Sequence, residues 1–209
     1  MALYLSVEYF HPSLNLVYAE AFSYIESQQD YVPILINSYG GYTDCLSTLL
    51  DCIKGSTKPV MTIATGVDMS CGADLFVSGT KGLRIIGPNT TSLIHQVSGM
   101  SWGKYNDMKA EAQEIDRLNK KILYDLFDQA GNHPEGYTEQ MIKDNFNADL
   151  YLTPEKMIEN GWADKIMSVN QVLLNMDNIF QDYKQLLDKV ELDEELTEST
   201  PSVFPPVSE

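Results

Sequence analysis

The chain has 209 residues, 14 of them Lys or Arg and 30 of them Asp or Glu, which gives a net charge of −16 at pH 7. A hydrophobic fraction of 44% is typical of a globular protein with one well-filled domain rather than of a disordered chain. The negative charge argues against nucleic acid and anionic membranes as partners, because both would repel it. No apolar run approaches the roughly 20 residues that a membrane-spanning helix needs.

The cellular compartment is indicated by the N-terminus and the cysteines. MALYLSVEYF has neither the basic region nor the cleavage site of a signal peptide. The three cysteines, Cys45, Cys52 and Cys71, are an odd number without C-x-x-C spacing, which argues against a disulfide framework and a zinc site. The sequence therefore predicts a cytoplasmic protein with no metal and no cofactor.

Strands and helices alternate along the chain. The predicted strands are Leu3–Val7, Tyr31–Asn37, Lys58–Thr65, Gly82–Ile86 and Thr90–Gln96. The predicted helices are Pro12 to about Ser27, one capped by Thr43 or Asp44, one closing at Gly79, Lys104–Ala130, about Thr138–Phe146, one from Thr153 to Gly161, and about Gln171–Val190. Strands separated by crossover helices predict an α/β domain with a mainly parallel sheet.

Three regions are predicted from this order of elements. Residues 1–167 form the α/β domain, residues 168–190 form an amphipathic helix, and residues 191–209 form an acidic, mobile, solvated tail. Within the domain, the helix Lys104–Ala130 has an apolar face too long for one domain to cover, which indicates a protein interface.

The segment VDMSCGADLFVSG (Val67–Gly79) places a serine beside a cysteine between a predicted strand and a predicted helix. Ser70 is either a helix N-cap, the commoner role at such a position, or a nucleophile. Asp68 is a second candidate for the same cap. Cys71 is predicted to be a small buried residue or, at the positive end of a helix, a reactive thiol. A nucleophilic serine needs a base, an orienting acid and oxyanion donors.

Only three histidines are available as that base. His11 and His133 lie in predicted surface turns, whereas His95 ends an apolar strand and so reaches the carboxyl edge of the sheet, where α/β sites gather. Ser70 follows the strand Lys58–Thr65 and reaches the same edge. The alternative is that His95 is an ordinary strand-end histidine and that the Gly40–Gly41 pair is only a tight turn.

Four blocks in this order resemble ClpP, the proteolytic subunit of the Clp proteases. They are INSYGG (Ile36–Gly41), MSCGA (Met69–Ala73), SLIHQ (Ser92–Gln96) and ADLYLTPEKMIENGWADKI (Ala148–Ile166). The resemblance extends from about Leu3 to about Met167. It implies the ClpP/crotonase-like α/β fold, with a mainly parallel sheet, crossover helices and a protruding "handle" helix at Lys104–Ala130.

The resemblance also implies an activity and its residues. The chain would be a serine endopeptidase that cleaves peptides or unfolded proteins inside an oligomeric chamber. Ser70 would be the nucleophile, His95 the general base and Asp149 the orienting acid. The oxyanion donors would be the N–H of Cys71 and an N–H of the Gly40–Gly41 turn.

Assembly and partners follow from the same resemblance. It implies a homo-oligomeric ring, either a heptamer or a stacked pair of heptamers, and a glycine-containing edge strand at Ser98–Gly103 that pairs with the peptide substrate. Because the chain begins almost at its first strand, we expect no N-terminal segment of the kind that contacts an ATPase unfoldase in the family. An ATPase partner is therefore left open, beside a stand-alone peptidase or a virus-type protease that trims assembly proteins.

The chain departs from the family pattern at three positions near the motifs. Tyr39 and Val97 stand where proline is common, and Cys71 stands where methionine is common. None of these changes removes a catalytic group. Two other functions remain open: a non-catalytic, ring-forming paralogue and a crotonase-type acyl-CoA enzyme on the same fold.

Overall fold

The computed structural model describes residues 2–99, 101–129 and 148–198. Its strands are β1 (Leu5–Val7), β2 (Val32–Ser38), β3 (Val60–Met69), β4 (Arg84–Ile86), β5 (Thr91–Ile94), β6 (Leu150–Leu152) and β7 (Lys165–Ile166). Its α-helices are α1 (Asn15–Gln28), α2 (Thr43–Gly55), α3 (Cys71–Val77), α4 (Tyr105–Gln129), α5 (Pro154–Glu159) and α6 (Val169–Glu198), and a 3-10 turn at Pro12–Leu14 precedes α1. The predicted helix at about residues 138–146 and the histidine at position 133 lie outside the described residues.

The described strands form one sheet in the order β1-β2-β3-β4-β7, and β5 pairs with the second half of β3. All of these pairs are parallel, whereas β6 pairs antiparallel with β5. The prediction of an α/β fold with a mainly parallel sheet is confirmed.

The two faces of the sheet bury two different apolar clusters because side chains alternate along β3. Val60 and Ala64 belong to the larger cluster, which includes residues of α1, α2 and α3. Met61 and Ile63 belong to the second cluster, which includes residues of α6. Helices therefore cover both faces of β3, as a parallel sheet requires.

The strand β3 is longer than the sequence predicted. The prediction ended it at Thr65, because Gly66 and Asp68 interrupt the apolar pattern, but the strand runs to Met69. Its register against β2 shifts after Ala64, and Gly66 sits in that shift with a φ of +67°. A side chain at Gly66 would meet Asn37 Oδ1 at 2.8 Å, so glycine suits this bulge. The bulge allows the strand to resume and to deliver Ser70 directly after its end.

Two predicted helix caps have different outcomes. Thr153 caps α5 as predicted, since its hydroxyl oxygen accepts a hydrogen bond from Lys156 N–H. The predicted cap of α2 by Thr43 or Asp44 is wrong: the helix begins at Thr43, and Tyr42 occupies the cap position without a side-chain hydrogen bond. The helix starts directly after the Gly40–Gly41 turn, so its cap position is one residue before the earlier of the two predicted caps.

The helix α4 is anchored at its C-terminal half. Ile122 and Leu126 are buried, and Trp162 Nε1 donates a hydrogen bond to Leu126 O at 3.0 Å. Residues 105–114 are all exposed in the single chain, including Met108 from the predicted apolar face. The helix therefore extends beyond the part of the domain that covers it.

Two further segments differ from the sequence prediction. The C-terminal helix α6 runs to Glu198 instead of ending at about Val190, because the acidic residues that follow are good helix formers. The described residues of Ser98–Gly103 form no strand, which corrects the implied edge strand. Ladder hydrogen bonds define a strand, and among the described residues the single chain supplies no partner for this segment.

Candidate active site

Ser70 lies between the end of β3 and the start of α3, in an unusual backbone conformation. Its φ of +55° and ψ of −126° make it the one non-glycine residue with a positive φ in the described part of the chain. Its N–H donates to Leu93 O at 2.8 Å, and its carbonyl accepts from Asp74 N–H at 3.1 Å. Such a conformation costs energy in a residue with a side chain and is concentrated at functional sites.

The predicted alternative of Ser70 as an N-cap is wrong for its side chain. Ser70 occupies the cap position of α3, but its hydroxyl makes no cap hydrogen bond. The hydroxyl is therefore not used to satisfy the helix end.

The glycine turn before α2 lies directly against Ser70. A Cβ added at Gly40 would be 2.6 Å from Ser70 Cβ and 3.0 Å from Ser70 Oγ. A Cβ added at Gly41 would be 2.2 Å from Phe10 O, and both glycines have positive φ, +97° and +148°. Glycine is required at both positions by close approach as well as by backbone conformation.

The cysteine beside Ser70 is not a reactive thiol. Cys71 is buried, and its Sγ donates to Gly41 O at 3.3 Å. Burial, together with the nearby Asp74, raises the pKa of the Cys71 thiol to about 12. The thiol thus stays protonated at neutral pH, as predicted for a small buried residue.

The sheet register brings His95 and Asp149 to the same place. β5 pairs with β6 through Ile94 and Leu150, so His95, after Ile94, lies opposite Asp149, before Leu150. β3 pairs with β5 through Met69 and Leu93, which brings the start of α3 beside the end of β5. His95 is half-buried and Asp149 is exposed.

These three residues lie at the ends of adjacent strands, and among the described residues their side chains are not hydrogen-bonded to one another. Within the described ranges, no hydrogen bond joins Ser70 to His95 or His95 to Asp149. Hydrogen bonds of catalytic groups are often long or poorly aligned before substrate binds. His11, by contrast, is exposed and bonds to Ser13, in agreement with its predicted surface role.

Sequence reasoning missed a buried polar row behind Ser70. It consists of Ser38 on β2, Asp68 on β3 and Ser92 on β5, which are 1%, 0% and 0% exposed. The register pairs Asp68 with both serines. The predicted alternative of Asp68 as an N-cap is wrong, because β3 runs to Met69 and includes Asp68.

The acids of this region have raised pKa values. Burial raises the pKa of Asp68 to about 7, although the hydrogen bond from Ser92 acts in the opposite direction. Burial, Asp68 and the facing Asp125 raise the pKa of Asp74 to about 8, and Lys121 opposes them. Asp74, on the side of α3 that faces α4, therefore tends to stay protonated at neutral pH.

Comparison with known proteins identifies the family of the chain. The family model described as Clp protease matches residues 11–170. The chain belongs to the Clp protease family. It is similar to the ATP-dependent Clp protease proteolytic subunit 3 of Synechococcus sp. strain CC9902, with 32% identity over 148 residues, 69% of this chain and 72% of that protein. The protein of the same description from Synechococcus sp. strain CC9605 gives the same identity and coverage.

Family membership supports a peptidase and assembly. Clp protease family proteins form ring oligomers and act on peptides, and the two relatives are described as proteolytic subunits. Within the described ranges, no helix is long and apolar enough to cross a membrane.

Proposed function

We propose that the chain is a serine endopeptidase in which Ser70 is the nucleophile. The observation that carries the proposal is the backbone of Ser70, held at φ +55° with Gly40 against it and its hydroxyl unused by the helix cap. Strain at the turn between a strand and a helix exposes a serine hydroxyl to substrate, as in other nucleophile turns. Family membership supports this function over that of an acyl-CoA enzyme.

His95 acts as the general base and Asp149 orients it. The register that places His95 opposite Asp149 and beside the start of α3 supports these roles. In the reaction, Ser70 Oγ attacks the peptide carbonyl carbon while His95 takes its proton and then gives it to the leaving amine. Water hydrolyses the acyl-enzyme in a second attack that uses the same base.

The oxyanion is held by two backbone N–H groups. One belongs to Cys71, directly after the nucleophile, where the first N–H groups of α3 have no partner within the helix. The other comes from the Gly40–Gly41 turn, and we assign it to Gly41 because Gly40 N–H donates to Ser38 Oγ at 3.1 Å. The closeness of this turn to Ser70 supports the assignment.

The test is to replace the nucleophile and its neighbour separately. Ser70→Ala is expected to abolish fluorophosphonate labelling and to lower the rate of peptide hydrolysis on the order of 10⁴-fold or more. Cys71→Ala, the control, keeps most of both, because its thiol is buried and protonated. Labelling that persists in Ser70→Ala contradicts the proposal, whereas a wild type that is neither labelled nor active favours a non-catalytic ring subunit.

We also propose that the active form is a homo-oligomeric ring, a heptamer or a stacked pair of heptamers, with the Ser70 sites facing an inner chamber. The exposed first half of α4, which begins with Tyr105 at 73% exposure, supports this, as does Trp102 just before the helix at 94%. At −16 for each subunit, assembly is expected to tighten as salt screens the repulsion. Light scattering at low and moderate ionic strength tests this, and a monomer mass under both conditions contradicts it.

A further inference from the structure

The ladder that joins the strand of Ser70 to the strand of His95 is short. β3 and β5 share three register pairs, Val67 with Thr91, Asp68 with Ser92, and Met69 with Leu93. The first half of β3 pairs instead with β4. The distance between the nucleophile and its base thus depends on only a few backbone hydrogen bonds.

A buried side-chain hydrogen bond crosses this ladder at its central pair. Ser92 Oγ donates to Asp68 Oδ2 at 3.1 Å, and both residues are 0% exposed. Asp68 is two residues before Ser70, and Ser92 is three residues before His95. The bond therefore connects the two strands immediately behind the two candidate catalytic side chains.

The other oxygen of the carboxyl group lies under the first turn of α3. Asp68 Oδ1 has no hydrogen-bond partner among the described residues. A Cβ added at Gly72 would be 3.5 Å from Asp68 Oδ1 and 3.3 Å from Ser38 O. One buried carboxyl group thus contacts β5 through Ser92 and lies against the helix that Ser70 begins.

A buried carboxyl group in this position lowers the stability of the folded state. Burying a polar oxygen without a hydrogen-bond partner destabilises the folded state, and an apolar side chain would fill the same space without that cost. Polar groups of this kind are retained where they fix one arrangement of the surrounding elements. The element that they fix here is the pairing of β3 with β5.

From these contacts we propose that Asp68 is a positioning residue of the peptidase, which through Ser92 holds the strand of His95 in register with Ser70. This proposal rests on the proposed function. It assigns Asp68 no contact with substrate. The charged groups that bear on the region from other elements are Asp74 on α3 and, beyond it, Lys121 and Asp125 on α4.

The test compares kcat with KM in variants of the pair. Ser92→Ala removes the donor, Asp68→Ala removes the acceptor, and Asp68→Asn keeps an oxygen that can accept from Ser92. Ile63→Val is the matched control, since Ile63 is also buried on β3 but belongs to the opposite face of the sheet. Each variant is assayed with a short fluorogenic peptide, and its thermal unfolding is measured alongside.

The expected result is a loss of kcat without a matching loss of binding. Ser92→Ala and Asp68→Ala are expected to lower kcat about tenfold with KM within about twofold, because a misplaced base affects the transition state. The double variant Asp68→Ala/Ser92→Ala is expected to be no slower than Asp68→Ala, since both lack the same Asp68–Ser92 hydrogen bond. Asp68→Asn is expected to recover most of kcat, and Ile63→Val to keep it while lowering the unfolding temperature.

Three outcomes overturn the positioning role in an active wild type. They are an unchanged kcat in Ser92→Ala, additive losses in the double variant, and a loss of kcat in Ile63→Val equal to that in Ser92→Ala at equal stability. If Asp68→Ala does not fold, Ser92→Ala against Ile63→Val still decides the question. A wild type that neither hydrolyses peptides nor is labelled at Ser70 overturns the proposed function and this role together.

Discussion

The two halves of β3 differ in burial, in strand pairing and in the polar groups they contain. Residues 60–64 are all buried and pair in regular register with β2 and β4. Residues 67–69 follow a glycine bulge, pair with β5 over three positions and contain a buried carboxyl group. Ser70 then adopts a strained conformation. The first half contributes stability through packing, and the second half uses some of that stability to hold polar groups in place.

This contrast indicates which substitutions are expected to change mainly stability and which mainly activity. A change in the first half is expected to lower stability with little effect on turnover. A change around the second half that disturbs the candidate site is expected to lower turnover far more than stability, whereas Asp68→Asn is expected to keep most of kcat and to raise stability at pH 8. Three predictions test this difference.

The largest effect is expected from the acid opposite His95. Asp149→Asn is expected to lower kcat about 10⁴-fold, since the amide would hold the imidazole in the tautomer that cannot accept the serine proton. Asp149 is exposed, so the unfolding temperature is expected to stay near that of the wild type. Turnover of a short fluorogenic peptide gives the measurement. Near-wild-type turnover would show that Asp149 only solvates the loop before β6.

A smaller loss is expected from closing the space beside Ser70. Gly40→Ala adds a methyl group 2.6 Å from Ser70 Cβ and forces a side chain onto a φ of +97°. Displacement of one oxyanion donor is expected to lower kcat about 10²-fold or more. The measurement is the peptidase rate at saturating substrate.

The matched control for this variant is Gly55→Ala at the end of α2. A Cβ added at Gly55 meets nothing within 4 Å. Full activity is expected in this control, with a stability equal to or slightly above that of the wild type. Equal activities of the two alanine variants would contradict the close approach of the turn to the nucleophile.

The smallest effect concerns stability and its dependence on pH. Burial raises the pKa of Asp68 to about 7, so the folded chain binds this proton more tightly than the unfolded chain does. The free energy of unfolding therefore falls as pH rises from about 4 to about 7, and the loss is complete above the folded pKa. Asn cannot ionise, so Asp68→Asn is expected to unfold at a higher temperature than the wild type at pH 8.

The same comparison at pH 4.5 supplies the control. There the wild-type Asp68 keeps its proton in the folded chain, and the difference in unfolding temperature is expected to shrink. Asp68→Asn also removes the Asp68 charge that helps to raise the pKa of Asp74, and this acts in the same direction on the difference at pH 8. A difference that is independent of pH, or an asparagine variant that is less stable at pH 8, would show that Asp68 is not buried as a protonated acid.

The fold was predictable because its elements obey local rules. Alternating strands and helices predicted the parallel sheet, and Thr153 and Pro154 marked the start of α5. Gly66 and Asp68 interrupt the apolar pattern of β3, so the sequence predicted that the strand ends at Thr65 instead of Met69. The predicted cap of α2 was wrong because the helix starts directly after the Gly40–Gly41 turn, with Tyr42 at the cap position. Side-chain preferences for cap positions do not predict a tyrosine there.

The candidate site was predictable only in part. The predicted strand ends indicate Ser70 and His95, whereas only the family motif that contains Asp149 indicates that residue. The hydrogen bond between Asp68 and Ser92 depends on β3 and β5 being neighbours in one particular register. The two residues are 24 positions apart, and the sequence around each of them does not predict that they pair. Local sequence likewise left the N-cap and the nucleophile as alternatives for Ser70, and the backbone conformation separates them.

Mapping the fluorophosphonate adduct by peptide mass spectrometry tests the nucleophile and its base most directly. In the wild type, we expect a single adduct on Ser70, in the peptide that also contains Cys71. In His95→Ala, labelling of Ser70 is expected to be lost or slowed by orders of magnitude, because the hydroxyl loses its base. An adduct on another residue, or unchanged labelling of Ser70 in His95→Ala, would contradict the account.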